Sequence, residues 1–181
     1  MQINNTRMVG AMLLSPLLLP HTLFYLFSPK KQLIRSDVGG GWRIFVYRLI
    51  YDQPFRNVFY YRIGRIHVLF SWLFKRYPTT KIKQDMTIGR NIVFVHAYNT
   101  FLNAQSIGDY FTCFHNVTIG QKGGKIPTIG NHVTVSCGAS IVGDVHVGNN
   151  VIIGCGCVVT KDVPDNCTVI GNPAKIIRKK D

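Results

Sequence analysis

The sequence predicts a mainly β protein, a parallel β-helix of hexapeptide repeats preceded by an N-terminal hydrophobic, helical extension, and three observations carry that prediction. Ile129, Val135, Ile141, Val147, Ile153 and Val159 stand six residues apart without a break, and Gly130, Gly148 and Gly154 each follow one of them. The residues two places earlier, Pro127, Val133, Ala139, Val145, Val151 and Cys157, are mostly small or β-branched, so strand alternation turns both sets inward. Residues 8–29 carry no charge and set the first part of the chain apart from the periodic part. A six-residue step of strand and corner closes a triangular coil in about 18 residues, with coils stacked about 4.8 Å apart. A β-sandwich would place its turn signals about every 8–12 residues instead.

Taken in chain order, residues 1–81 form the hydrophobic and basic extension, mainly helical. The uncharged run 8–29 is long enough to cross a membrane, but Pro16, Pro20 and His21 interrupt it, which favours a kinked span or an interfacial segment over a straight helix. A buried hydrophobic helix is the plainer alternative. A cleaved signal peptide is not expected: only Arg7 supplies a basic start, and the run ends in Ser28, Pro29, Lys30 and Lys31 without a small-x-small site. If the run spans, Lys30, Lys31 and Arg35 hold its C-terminal side in the cytoplasm. From Pro54 to Arg76 the pattern reads as an aromatic, basic helix with Arg56, Arg62, Arg65, Lys75 and Arg76 on its polar side, and Pro78 stops it.

The repeat phase begins at Ile82 and runs through Ile88, Phe94 and Thr100, then Ile107, Cys113 and Ile119. One residue is inserted between Thr100 and Ile107, and four between Ile119 and Ile129, which make the loop Gln121 to Lys125. Four to five coils thus fill residues 82–164. Residues 165–181, with Asn166, Gly171 and Pro173, leave the solenoid through turns into a basic tail.

Charge and cysteine usage narrow the function classes. Residues 1–81 carry 12 basic and 2 acidic side chains, residues 82–181 carry 9 and 6, and glutamate is absent throughout. Carboxylate chemistry therefore falls to 8 aspartates. The basic residues of the first part are interleaved with Phe55, Phe59, Tyr60, Tyr61, Leu69, Phe70, Trp72 and Phe74, which favours anionic lipid, and no nucleic-acid-binding signature is present. Peripheral or anchored membrane contact through residues 8–29 and 54–76 follows as an expectation, on the inner face of the membrane of a cytoplasmic protein. Cys113, Cys137, Cys155, Cys157 and Cys167 show neither CxxC spacing nor a zinc-type histidine set, so free thiols and no metal are expected.

The phase count also assembles a candidate site. His96 lies two residues after Phe94, His115 two after Cys113, Cys137 two after Val135 and Cys155 two after Ile153. This spacing places all four at one corner of successive coils, as a column with a step of roughly 5 Å. Cys113 and Cys157 fall in the inward phase and read as core.

Residues 82–177 resemble the left-handed β-helix acyltransferases, and within them the serine acetyltransferase-like branch. The matching stretches are Ile88-Gly89-Arg90, Val95-His96-Ala97, Asn116-Val117-Thr118-Ile119-Gly120, the run of hexapeptides, and the ending Val159-Thr160-Lys161-Asp162-Val163-Pro164 with Gly171-Asn172-Pro173-Ala174-Lys175. Tyr61-Arg62-Ile63-Gly64-Arg65 looks like the helix that precedes the coils in these enzymes. The resemblance implies a left-handed coil, a homotrimer, and acetyl-CoA as co-substrate in a cleft between neighbouring solenoids. It also implies a histidine at the position of His96 that deprotonates the acceptor hydroxyl, a task suited to a group titrating near neutrality.

By the same resemblance the pantetheine arm runs along the column, where Cys137, Gly138, Cys155 and Gly156 keep the wall small, and Lys161 joins the acetyl-CoA set. His115, Asn99 and Asn103 are candidates for lining the acceptor side. The glycine loop after Gly120 either flanks the site or is a plain surface loop.

The chain departs from the serine enzymes at three places. Val95 stands where they carry an aspartate just before the histidine, Lys81 where they carry the aspartate paired with it, and Lys125-Ile126 where they carry an arginine-histidine pair. Those groups hold the amino acid and tune the base. A glycan or sugar-intermediate hydroxyl is therefore favoured over free serine as acceptor. Docking to cysteine synthase is not expected, because most of the long helical N-terminal domain of the cysteine-pathway enzymes has no counterpart and Arg178-Lys179-Lys180-Asp181 lacks their isoleucine-tipped tail. Three rivals stay open: a serine O-acetyltransferase of cysteine biosynthesis, a non-catalytic trimeric β-helix scaffold, and transfer to an amine of an amino sugar. Asp85, Asp109 or a backbone carbonyl are the candidates to orient His96.

Overall fold

The computed structural model describes residues 4–179 and divides into two compact units, the first ending at Tyr77 and the second beginning at Pro78. The first unit is helical: α1 (Asn5–Leu14), a 3₁₀ segment (Ser15–Leu18), α2 (Leu19–Phe27), α3 (Lys31–Val38), α4 (Trp42–Tyr51), α5 (Gln53–Ile63) and a second 3₁₀ segment (Gly64–Leu69). Asn4 caps α1, its side-chain oxygen accepting from Thr6 N at 2.9 Å. Pro16 and Pro20 sit in the first turns of the 3₁₀ segment and of α2, where a missing amide hydrogen costs least, so the run changes pitch without ending.

By length and composition the run Asn5–Phe27 is sufficient to cross a membrane. It is nonetheless two-faced. Ala11, Leu18, His21 and Tyr25 are buried against Phe45, Phe59, Tyr60 and Phe70, whereas Val9, Leu13, Leu17, Leu19, Leu23 and Phe27 are exposed. The imidazole of His21 lies among aromatic rings, with Nε2 3.1 Å from the Tyr60 hydroxyl, which in turn donates to Phe74 O. Burial pushes its pKa down to about 4, so His21 is neutral at physiological pH.

The expected single helix from Pro54 to Arg76 is corrected. α5 ends at Ile63 because Gly64 adopts a φ of 72°, and the chain continues as a 3₁₀ segment and turns. Arg56 and Arg62 do not face solvent either. Every residue from Phe55 to Arg62 is buried, so this helix is enclosed all round. Arg62 forms an ion pair with Asp37 of α3 at 2.8 Å, both side chains at most 2% exposed, and Arg56 donates to Leu49 O, Ile50 O and Lys75 O. These partners replace the water that a guanidinium otherwise requires.

The second unit is a parallel β-solenoid of five coils. Its strands are β1 (Lys81–Ile82), β2 (Thr87–Ile88), β3 (Val93–Phe94), β4 (Phe101–Leu102), β5 (Ser106–Ile107), β6 (Thr112–Cys113), β7 (Thr118–Gly120), β8 (Thr128–Ile129), β9 (Thr134–Val135), β10 (Ser140–Val142), β11 (His146–Val147), β12 (Ile152–Ile153), β13 (Val158–Val159), β14 (Cys167–Ile170) and β15 (Lys175–Lys179). The first face of the triangle stacks β1, β4, β7, β10 and β13; the second stacks β2, β5, β8 and β11; the third stacks β3, β6, β9, β12 and β14. β15 folds back antiparallel on β14 and covers the free edge of that sheet.

Both inward sets expected from the repeat are buried, Val133, Val135, Ala139, Ile141, Val147, Val151, Ile153, Cys157 and Val159 at 0% exposure. One phase assignment is corrected. Leu102, not Thr100, pairs with Ile82 and Ile119 and occupies the inward strand position. Thr100 sits two places earlier, in line with Val117, Ala139 and Cys157, where its hydroxyl is satisfied by the carbonyls of Tyr98 and Phe114. Two additional residues thus lie between Phe94 and Leu102, and one fewer between Leu102 and Ile107.

A candidate active-site corner

The corner leading from the third face to the first repeats one turn in each coil. Asn116 N donates to Tyr98 O, Gly138 N to His115 O and Gly156 N to Cys137 O, at 3.0, 3.1 and 2.9 Å. The residues after the column members, Asn99, Asn116, Gly138 and Gly156, all have φ between 51° and 71°. Asparagine and glycine tolerate that left-handed conformation best, which is why these residue types recur there. The column itself is therefore Tyr98, His115, Cys137 and Cys155. The rings of Tyr98 and His115 stack at 5.0 Å with 16° between planes, and the sulfurs of Cys137 and Cys155 are 3.3 Å apart.

The expected place of His96 in this column is corrected: Tyr98 occupies it. Counting forward from Phe94 reaches His96, but counting back from Leu102 reaches Tyr98, because the two additional residues lie in between. His96 stands on that bulge, exposed, with φ of 50°, and Tyr98 N donates to His96 O at 2.7 Å. A non-glycine residue held at positive φ needs support from its surroundings. Two threonines of the turn before β1 supply it: Thr80 Oγ1 donates to Ala97 O, and Thr79 Oγ1 accepts from Asn99 N at 3.0 Å. These supports were not read from the sequence.

Seven of the nine candidate residues, His96, Asn99, His115, Cys137, Gly138, Cys155 and Gly156, share this one corner. Asn103 and Lys161 do not. Each follows a strand of the first face, Asn103 after β4 and Lys161 after β13, and so lies at the next corner. Asn103 is 7% exposed and its side-chain oxygen has no partner, as is true of Nδ1 of His115. Lys161 lines a cleft of about 220 Å³ with Thr160, Pro173, Ala174 and Lys175. Ala174 N donates to Val158 O, so Pro173 and Ala174 lie beside β13 of the first face, on the wall of that cleft.

Neither named aspartate shares the corner of His96. Asp109 is engaged at the corner between the second and third faces, where it accepts from Arg90 N at 2.7 Å and from the Arg90 guanidinium at 2.9 Å, which holds its carboxyl below the usual range. Asp85 lies between β1 and β2, at the corner between first and second faces. Among the described residues the His96 imidazole has no hydrogen-bond partner within the chain, and no cluster of three His, Cys or Asp side chains could hold a metal ion. The loop after Gly120 turns tightly through Gly123 and Gly124 and is tied by an ion pair from Lys125 to Asp144 at 2.5 Å.

The arrangement offers an exposed imidazole ahead of an aromatic ring, a column whose lane is walled by thiols and glycines, and, at the next corner, a cleft lined by two lysines. Comparison with known proteins places it further. No family model matches the chain. It is 34% identical over 121 residues to the serine acetyltransferase of Synechococcus elongatus, covering 64% of this chain and 50% of that protein. It is 41% identical over 100 residues to WcaB of Escherichia coli K12, named as an acetyltransferase of colanic acid biosynthesis, covering 53% of this chain and 62% of that one. The chain thus spans half to less than two thirds of these relatives' lengths. A serine acetyltransferase solved in complex with CoA shares the fold, with a TM-score of 0.68 over 84% of this chain and 72% of that chain at 23% identity.

Proposed function

We propose that this chain, whose solenoid belongs to the serine acetyltransferase-like branch of the left-handed β-helix acyltransferases, transfers an acetyl group from acetyl-CoA to a hydroxyl of a glycan or sugar intermediate. The observation that carries the reading is the bulge that presents His96, exposed, two residues ahead of Tyr98, the first member of the column with His115, Cys137 and Cys155. In the proposed reaction Nε2 or Nδ1 of His96 takes the proton of the acceptor hydroxyl as its oxygen attacks the thioester carbonyl. The C–S bond then breaks, and the CoA thiolate leaves with the proton held by His96. General-base assistance of this kind contributes about 10²–10⁴-fold.

The pantetheine arm would lie along the column, where Gly138 and Gly156 have no side chain and each thiol is small. Lys161 and Lys175 at the far cleft would meet phosphate groups, each as a point charge. The glycan preference rests on Tyr98, 41% exposed beside His96, whose flat ring suits the apolar face of a sugar, and on the acetyltransferase relative named for a polysaccharide. Lys81 and Val95, in place of two aspartates, remove the carboxylates that would hold an amino group. Serine as acceptor is the second reading, favoured by the relative from Synechococcus elongatus.

CoA release from acetyl-CoA, with L-serine and with sugar acceptors, tests the reaction. The expected result is little turnover above acceptor-free hydrolysis with serine, and a drop of about 10²-fold or more in His96→Ala whatever the acceptor. Rapid serine-dependent release would replace the glycan reading by the serine one. CoA binding measured by titration separates both from a scaffold, which has no use for the lane.

Two further properties belong to the same proposal. A homotrimer would set the corner of one solenoid against its neighbour, and light scattering should report three chains per particle. The exposed apolar side chains of residues 9–27, joined by Ile66, Val68, Leu69 and Trp72 and by a basic surround, would dock on the cytoplasmic face of an anionic membrane.

A further inference from the structure

We propose that Cys137 and Cys155 form a reversible redox pair, a disulfide between consecutive coils that alters the wall of the column's lane when it forms. Their sulfurs are 3.3 Å apart and both are accessible, Cys155 exposed and Cys137 partly so. Cys113, Cys157 and Cys167 are buried in the core and take no part. The two residues occupy equivalent places one coil apart, tied by Gly156 N donating to Cys137 O at 2.9 Å. A coil step of about 4.8 Å falls inside the Cα separation of roughly 4.4–6.8 Å that disulfides span. Side-chain rotation with a small approach of the two Cβ atoms, to the roughly 3.5–4.5 Å a disulfide requires, brings the sulfurs to about 2.05 Å.

The chemistry needs an oxidant, and a low-molecular-weight disulfide supplies it. The Cys155 thiolate attacks one sulfur of the small disulfide, forming a mixed disulfide and releasing one small thiol. The Cys137 thiolate then attacks the Cys155 sulfur and releases the second. Two protein thiols lose two protons and two electrons, and the small disulfide is reduced to two thiols. The first attack falls to Cys155 because it is the more exposed, whereas the hydrogen bond to Cys155 raises the pKa of Cys137. An exposed disulfide of this kind is readily reduced, which makes it reversible.

The consequence for the lane rests on the proposed acetyl-CoA reading; the thiol pair itself does not. Oxidation draws the two sulfurs together in the middle of the column and removes the two thiol hydrogens that a ligand lying there would meet.

Folded full-length protein treated with glutathione disulfide is the test, read by intact mass, peptide mapping and acetyl-CoA titration. The expected product has lost two hydrogens, with the cross-link between the peptides of Cys137 and Cys155. Its Kd for acetyl-CoA, titrated in place of free CoA because the CoA thiol would itself reduce the disulfide, is raised about tenfold or more, and dithiothreitol reverses both effects. Cys137→Ser and Cys155→Ser, each checked for unchanged circular dichroism, should lack the cross-link. Glutathione adducts that persist on both cysteines, or no reaction at either, would overturn the pair. A cross-link that leaves the acetyl-CoA titration unchanged would overturn its effect on the lane. Failure of the reduced protein to bind acetyl-CoA would instead remove the acetyl-CoA reading, while the mass result would still decide the pair.

Discussion

His96 and His21 show how differently one residue type behaves in the two units. His96 is exposed on a bulge whose backbone is held by Thr79 and Thr80. His21 is fully buried, with Nε2 against the Tyr60 hydroxyl and Nδ1 without a partner. Its pKa in the fold, about 4, lies below the unfolded value of 6.5. The neutral form is thus the folded form, and the unfolded chain binds the proton first. Stability is therefore full above about pH 6.5 and falls as the pH drops toward 4. The urea midpoint of the helical transition should decline across that window in the wild type and stay flatter in His21→Leu, whose apolar side chain suits the same aromatic cage.

At the scale of elements, the solenoid repeats one close approach at the corner between its second and third faces. Gly89, Gly108, Gly130 and Gly148 stack there beside a ladder in which Asp109 N, Asn131 N and Asn149 N donate to the side chains of Asn131, Asn149 and Asp165 at 2.7–2.9 Å. A Cβ on Gly130 would lie 2.7 Å from Gly148 O, and backbone cannot yield as a flexible side chain does. Gly130→Ala should cost about 1–3 kcal/mol, the range for overpacking, read as a lower urea midpoint of the solenoid. The helical unit relies on a different device. Arg62 and Asp37 satisfy each other in a dry interior, where the pair compensates its own desolvation and fixes α3 against α5.

At the scale of the whole molecule, two surfaces carry the proposed function, and they lie in different units. The apolar face of the N-terminal run leaves Leu13 77% exposed and Phe27 76% exposed, in a part of the chain with a large excess of basic side chains. Its buried face, through Ala11, Leu18, His21 and Tyr25, keeps the run attached to the protein, which suits docking in the plane of a membrane. Leu13→Glu combined with Leu23→Glu should abolish co-sedimentation with anionic vesicles while leaving CoA release from acetyl-CoA with a soluble acceptor unchanged. Vesicle binding that survives both substitutions would place the contact elsewhere.

The solenoid was legible because its rule is local and repeated: an aliphatic residue every sixth position, small residues two places before, and asparagine or glycine at left-handed corners. Each coil obeys the rule without reference to the others, so the sequence by itself determined the strands, their inward faces and the corner that gathers His115, Cys137 and Cys155. Where the step is broken, counting fails, because an insertion can be placed on either side of an ambiguous residue. Only the pairing of Leu102 with Ile82 and Ile119 assigned it, moving Thr100 out of the strand position and setting His96 on a bulge ahead of Tyr98. The helical unit was less legible for the same reason. An arginine looks alike in sequence whether water or a buried carboxylate satisfies it, and only the tertiary structure, by bringing Asp37 to Arg62 across 25 residues, decided which.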